Sequence, residues 1–145
     1  MVQMKNSVSG IPVTRAMLTD FKTLSPRDNL SQVVALILSG SQHDFPVVDA
    51  NGRVAGILDR DSFMRGLTQH GQSAPVMDFI RRDLPAVDSF DMIEMALMKL
   101  NETASKTLPV THQGQLVGLI TAENITEFLM IRSALRTAAS VIRPW

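Results

Sequence analysis

Apolar positions along the chain first recur with the spacing of a helix. They occupy positions i, i+3, i+4, i+7 and i+8, which share one helix face, and the residues are Leu30, Val33, Val34, Ile37 and Leu38. Ser25 and Asp28 precede this stripe, and both carry side chains that commonly cap helix N-termini. We therefore predict a helix that begins near residue 30, with one of these two residues as its N-cap.

Two short apolar strands are predicted after this helix. The first, residues 46–49, begins with a proline, where a missing N–H costs a strand least. Residues 49–52 have the composition of a turn, and residues 53–58 are predicted to return as an antiparallel strand. A closing helix over about residues 59–67 completes the unit.

The same unit occurs a second time along the chain. Residues 52–58 match residues 114–120, which lie 62 positions later, and Pro46-Val47 matches Pro109-Val110 at an offset of 63. Such an ordered series is not readily repeated by chance. Because a unit of roughly 60 residues buries too little surface alone, we expect the two copies to pack face to face as one pseudo-symmetric domain.

These patterns predict an α/β (α+β) fold in which each repeat has a small, mostly antiparallel sheet with flanking helices. The predicted parts are an N-terminal lead over residues 1–12, repeat 1 over 13–67, a polar linker over 68–74, repeat 2 over 75–131, and an extended C-terminal helix and tail over 132–145.

Two further apolar stripes each allow two interpretations. The stripe of the last helix packs onto its own domain or contacts a second copy of the chain, and it consists of Ile125, Phe128, Ile131, Leu135 and Ala138. Met92, Met95 and Met98 are interpreted as core residues, with an adaptable binding face as the alternative.

Composition excludes several classes of protein. The 145 residues carry 14 Lys+Arg and 14 Asp+Glu, so no net charge favours nucleic acid or an anionic membrane. No cysteine is present, which excludes disulfides and thiol chemistry and fits a reducing compartment. The longest apolar run, residues 33–38, is too short for a bilayer span, and no secretory signal is visible. We expect a soluble, cytoplasmic protein, which can also be the cytoplasmic domain of a membrane protein.

The duplicated pattern resembles a tandem pair of CBS (cystathionine-β-synthase-type) domains over residues 13–131. Segments 40–48 and 123–131 are also similar to the CBS pair of some site-2-protease-like membrane zinc metallopeptidases. The resemblance implies a regulatory homodimer that binds AMP, ADP, ATP or a related adenosyl ligand in clefts between the repeats. It implies no catalytic machinery and no required cofactor, and a regulated partner that is an enzyme, channel or transporter.

The ligand signature of this family is Gly-hydrophobic-x-Thr/Ser-x-x-Asp/Asn. In repeat 2 it falls on Gly118, Thr121 and Asn124, so the resemblance assigns phosphate to the Thr121 hydroxyl and ribose to the Asn124 amide. Repeat 1 departs from it, with Asp59 in place of the hydroxyl residue and Ser62 in place of the acid. In one alternative, Asp59 and Asp61 bind ribose or a cation and Arg60 contacts a phosphate. In the other, Asp59 and Thr121 cap their helices and no ligand is bound.

The resemblance also implies an adenine pocket between the repeats. Its candidate residues are Thr23, Phe45, Pro46, Ala86, Val87, Leu108 and Pro109. Plain core packing is the alternative for Phe45 and Leu108.

Catalytic chemistry has little support. His43, His70 and His112 are scattered and form no metal-ligand set, and no His-Glu-x-x-His occurs. His43-Asp44 is interpreted as loop surface because no nucleophile is positioned near it. A nucleotide sensor is the preferred function, a ligand-free dimerisation or docking module is the alternative, and a hydrolase is disfavoured for want of a nucleophile–base pair.

Overall fold

The computed structural model describes residues 10–142 and has the predicted α+β fold. Within these residues the helices are α1 (Leu30–Ser39), α2 (Arg60–His70), α3 (Ile93–Thr103) and α4 (Ala122–Ile142). The strands are β1 (Phe45–Val48), β2 (Val54–Leu58), β3 (Val87–Asp88), β4 (Thr107–His112) and β5 (Gln115–Thr121). Two short 3-10 helices occupy Val13–Arg15 and Val76–Asp78.

Each repeat is built around one antiparallel hairpin, as the strand pattern predicts. β1 pairs with β2 and β4 with β5, with Pro46 opposite Ile57 and Pro109 opposite Leu119. The turn glycines Gly52 and Gly114 have φ angles of +80° and +81°, a conformation that L side chains rarely adopt. These two positions therefore need glycine for the chain to reverse.

A third strand runs parallel to the first strand of each hairpin. In repeat 2 it is β3, which pairs Val87 with Val110. In repeat 1 the pairing is a single parallel bridge between Leu24 and Val47. The two sheets are therefore matched pseudo-symmetric structures, and the first has the shorter pairing.

The N-cap of α1 differs from both predicted candidates. Asn29 accepts a hydrogen bond from the Ser31 amide at 3.0 Å, and its own amide donates to the Gln32 side chain at 2.8 Å. This reciprocal capping box satisfies amides that the first helical turn leaves without partners. Asp28 instead accepts from the Ser25 amide at 2.8 Å, which closes the preceding turn.

The segments that lead into the two repeats are exchanged between them. We call residues 11–18 and 74–81 the exchanged segments. Leu18 pairs with Leu119 of β5 through two backbone hydrogen bonds of 2.7 and 3.0 Å. Arg81 pairs with Ile57 of β2 in the same way, at 2.8 and 3.0 Å. Each exchanged segment thus lies on the second hairpin strand of the opposite repeat.

The exchange extends to the two hydrophobic cores. Ile11, Val13 and Ala16 are buried with residues of repeat 2, among them Ile93, Leu108 and Ile120. Val76 is buried with residues of repeat 1, among them Leu30, Phe45 and Phe63. Neither core is complete without residues from before or after its own repeat.

Two glycines allow the exchanged segments to approach the hairpins. A Cβ at Gly56 would lie 2.5 Å from the Arg81 carbonyl oxygen, and a Cβ at Gly118 would lie 3.0 Å from that of Leu18. Real side chains do not approach a backbone oxygen as closely as the first distance. Residues 52–56 and 114–118 each have the sequence Gly-x-x-x-Gly. The second glycine of each motif, Gly56 or Gly118, is therefore explained by close backbone packing.

The apolar stripes of α3 and α4 are buried only in part. On α3 the buried residues are Ile93, Ala96 and Leu100, whereas Met92, Met95 and Met98 are 38%, 38% and 46% exposed. The expectation that these methionines fill the core is wrong, because α3 turns its Ile-Ala-Leu face inward. On α4, Ile125 is buried, but Ile131 and Leu135 are 54% and 66% exposed.

We predict that Gly56→Ala destabilises the protein by about 1–3 kcal/mol, because the new methyl overlaps a backbone oxygen that other hydrogen bonds hold in place. The melting temperature should fall by roughly 3–10 °C. Gly40→Ala is the control, since its Cβ would make an ordinary contact of 3.6 Å, and it should cost less than about 0.5 kcal/mol. Equal melting temperatures of the two variants would refute the close-packing explanation.

Candidate functional site

A cleft of about 930 Å³ lies between the two repeats. The loops that precede β1 and β4 form one part of its lining, and the N-termini of α2 and α4 form another. Leu18 and Arg81 of the exchanged segments also line it, beside their partners Leu119 and Ile57. The cleft therefore contains equivalent groups from both repeats.

The N-terminus of α4 brings Thr121 and Asn124 together in this cleft. The Thr121 hydroxyl oxygen accepts a hydrogen bond from the Asn124 amide at 2.9 Å and so caps the helix. The side-chain amide of Asn124 lies 3.5 Å from the Ala16 carbonyl oxygen, to which it donates. The Thr121 hydroxyl retains its own proton for donation, and the helix dipole places partial positive charge here.

The N-terminus of α2 is bound by carboxylates instead. Asp59 accepts from the Ser62 amide at 2.7 Å, and Asp44 accepts from the Arg60 amide at 3.1 Å. A carboxylate has no proton to donate to a phosphate at ordinary pH, and its charge repels one. The two helix ends that face the cleft thus differ in their chemistry.

Asp44 also joins the two repeats. Its second oxygen accepts a hydrogen bond of 2.8 Å from the hydroxyl of Thr107, a residue that is only 5% exposed. The interpretation of Asp44 as loop surface missed this role. The available signal was the repeat itself, because Asp44 and Thr107 are 63 residues apart and each directly precedes an apolar-Pro-Val sequence.

Carboxylates outnumber cationic side chains in the lining of the cleft. The acidic residues are Asp20, Asp44, Asp59, Asp61 and Glu123, and the basic ones are Arg60, Arg81 and Lys106. Arg81 is also 3.7 Å from Asp83, which competes for its charge. An anionic ligand therefore depends on local donors rather than on a strongly positive cleft.

Three of the predicted site residues line the cleft, namely Asp59, Thr121 and Asn124. Ala86 and Pro109 line a second cavity of about 100 Å³, beside Arg81 and Arg82. The remaining residues lie elsewhere: Phe45, Val87 and Leu108 in the cores, Pro46 and Gly118 buried in strands, Ser62 half-buried in α2, and Thr23 exposed on the loop before β1.

The described residues hold neither a metal cluster nor a membrane-spanning helix. Residues 10–142 contain no group of three or more His, Cys, Asp or Glu side chains arranged to hold a metal ion. None of the helices in this part of the chain has the length and apolar character needed to cross a membrane.

The family model of the CBS domain matches the chain twice, over residues 8–68 and 76–131. This chain belongs to the CBS-domain family. The two matches fall on the two copies of the repeated pattern, so the resemblance is confirmed at the level of the family.

Among curated proteins, the CBS pair is similar to a homoserine O-acetyltransferase of Methanococcus vannielii, with 24% identity over 82% of this chain and 25% of the relative. It also matches the uncharacterised protein MJ1225 of Methanocaldococcus jannaschii, with 24% identity over 81% of this chain and 42% of the relative. The chain thus spans less than half the length of either protein.

Solved CBS structures share the fold. The CBS domain of a bacterial CNNM/CorC-family Mg²⁺ transporter in complex with ATP aligns with a TM-score of 0.78 and 15% identity, over 89% of this chain and 94% of the other. CBSX2 in complex with AMP aligns with a TM-score of 0.71 and 21% identity, over 89% and 99%. The CBS pair of MJ0100 in complex with 5′-methylthioadenosine and S-adenosyl-L-methionine gives 0.70 and 14%, over 83% and 97%.

We predict that Thr121→Val lowers stability by about 1 kcal/mol, because valine keeps the shape of threonine but cannot accept from the Asn124 amide. Thr121→Ser keeps the hydroxyl and should melt within about 1 °C of the wild type, whereas the valine variant should melt roughly 2–4 °C lower. Thermal denaturation followed by circular dichroism measures both. If serine and valine are equally destabilising, the hydroxyl does not cap α4.

Proposed function

We propose that this CBS pair is a ligand-sensing regulatory module that binds an adenosine-type nucleotide in the cleft between its repeats. The candidate ligands are AMP, ADP and ATP or a related adenosyl compound, and the regulated protein is an attached or associated enzyme, channel or transporter. The observation that carries the proposal is the N-terminus of α4, where Thr121 and Asn124 face a cleft of about 930 Å³.

The chemistry of this helix end suits the phosphate and ribose of a nucleotide. Backbone amides in the first turn, the helix dipole and the Thr121 hydroxyl favour an anionic oxygen, and the Asn124 amide can bind a ribose hydroxyl. The complexes of related CBS domains with AMP, ATP and S-adenosyl-L-methionine support the ligand class.

Position between the repeats supplies a route to regulation. A ligand in the cleft touches groups from both repeats, so its affinity depends on how the repeats are placed. It shifts the module between two arrangements only by the difference in its affinity for them.

We predict that a nucleotide of this class raises the melting temperature by roughly 5–10 °C at a concentration 100 times its dissociation constant, because binding then adds about 2.7 kcal/mol to the native state. A thermal-shift panel of AMP, ADP, ATP and S-adenosyl-L-methionine measures this. Because carboxylates outnumber cations in the cleft, AMP should give a larger shift than metal-free ATP. No shift with any member at millimolar concentration would contradict the proposal.

We also predict that Thr121→Ala combined with Asn124→Ala weakens nucleotide binding about 5- to 150-fold, the loss expected for two hydrogen bonds. Titration calorimetry gives the affinity. Asn29→Ala is the matched control, because it removes the N-cap of α1 without touching the cleft. Unchanged affinity in the double variant would exclude this helix end as the binding site.

A homodimer is the second part of the proposal. Helices α3 and α4 are in contact, and both expose apolar side chains. Those on α3 are Met92, Met95 and Met98, and those on α4 are Met130, Ile131 and Leu135. Exposed apolar side chains on neighbouring helices are typical of an interface, and a two-fold pair is the commonest way to bury them.

We predict that light scattering gives twice the mass of one chain at tens of micromolar. Ile131→Asp with Leu135→Asp should give a monomer, because the charges would be buried in the dimer. Ser133→Asp, on another face of the same helix, should remain a dimer. A wild-type monomer under these conditions would contradict the dimer.

A ligand-free dimerisation or docking module is the second candidate function. The carboxylates at the N-terminus of α2 favour this function, because they already accept hydrogen bonds from the amides that a ligand phosphate would need there. The nucleotide panel separates the two functions, because a docking module gives no shift.

A further inference from the structure

One hydrogen bond lies close to the pseudo-symmetry axis between the repeats. Asp44 and Thr107 are equivalent positions, 63 residues apart, and they are hydrogen-bonded to each other at 2.8 Å. Two equivalent residues meet in this way only close to the axis that relates the repeats. At that place the chain carries a carboxylate in repeat 1 and a neutral hydroxyl in repeat 2.

The carboxylate binds one of the two helix ends in the cleft. Asp44 accepts from the Arg60 amide at the first position of α2, and Asp59 accepts from the Ser62 amide two residues later. Two negatively charged side chains therefore occupy the amides that an incoming phosphate would need at α2.

The equivalent end of α4 has neither carboxylate. Thr121 stands where Asp59 does, and Thr107 donates its proton to Asp44 rather than accepting from α4. In the described part of the chain, no side chain accepts a hydrogen bond from the amide of Ala122, the equivalent of Arg60. Asp61 and Glu123 are themselves equivalent, so they do not account for the difference.

We propose that Asp44 acts as a built-in anion at the N-terminus of α2, so that the cleft accepts one phosphate-bearing ligand per chain, at α4. This inference rests on the proposed function and adds its stoichiometry. Asp44 and Asp59 exclude a second phosphate by charge and by occupying its hydrogen-bond donors. Asp44 is thus a specificity-determining residue, and its bond to Thr107 holds the carboxylate in place.

The test is titration calorimetry with AMP, ADP and ATP in turn. The wild type should bind one nucleotide per chain. Asp44→Asn combined with Asp59→Thr removes both charges and restores the hydroxyl of the family signature, and it should bind two. The matched control is Asp20→Asn with Asp61→Asn, which removes two carboxylates from the same cleft that do not bind the amides of α2. It should still bind one.

Five other outcomes bear on the inference and on the proposed function. Two nucleotides on the wild type would overturn the inference and leave the function standing. One nucleotide on a folded Asp44→Asn/Asp59→Thr variant, or two on the Asp20/Asp61 control, would also overturn the inference. Binding by that variant with none by the wild type would overturn both, because the wild type would then have no site at α4. No binding to either protein would overturn both.

A second measurement does not depend on the ligand or on the double variant. In the wild type, the Arg60 amide proton should resonate at a shifted position in the NMR spectrum because it donates to a carboxylate. Asp44→Asn alone should move that resonance and leave the Asn124 amide, which donates to Thr121, unchanged. An Arg60 resonance that does not respond would overturn the role given to Asp44.

Discussion

The exchange of residues 11–18 and 74–81 between the repeats is the constraint on which the rest of this structure depends. Each segment pairs with the second hairpin strand of the opposite repeat and completes the opposite core. The cleft exists because these segments hold two hairpins side by side, and Leu18 and Arg81 form part of its wall. Gly56 and Gly118 are the points of closest approach, so the second glycine of each motif serves the assembly as a whole.

Within this symmetric frame the chemistry is unequal. Both closing helices point their N-termini at one cleft, yet one end is capped by a hydroxyl and the other by carboxylates. Substituting one or two side chains changes what a helix end attracts without altering the backbone that presents it. A duplicated fold can in this way have one helix end suited to an anion beside another whose amides already bind carboxylates of the chain.

The sequence predicted the local elements well because they depend on local chemistry. Turn glycines, the proline near the start of each first strand and the helical spacing of apolar residues led to both hairpins and the helices around them. Periodicity shows that a helix buries a face, but not which partner covers it or how much of it, so Met95 and Leu135 were harder to place. The N-cap of α1 was misassigned because Ser25, Asp28 and Asn29 can all cap a helix, and only Asn29 forms the capping box with Gln32.

The central features of the site needed long-range information. The signature positions Thr121 and Asn124 were identified from a motif and lie in the cleft. Asp44 was not identified, because its role depends on hydrogen bonds with Arg60 and Thr107, which are distant in sequence. Comparing the repeats position by position at the offset of 63 would have matched Asp44 with Thr107, although not their contact.

The exchange has a further consequence for how the chain reaches this structure. Residues near Leu18 leave the ribosome before their partners around Leu119, which follow about a hundred residues later. At about 5–20 residues per second, this segment waits several seconds or more without its partner. Contacts so far apart in sequence slow folding, and the core that buries Ile11, Val13 and Ala16 cannot close before the last hairpin is made. The order of synthesis therefore makes residues 11–18 among the last parts of the described chain to be secured.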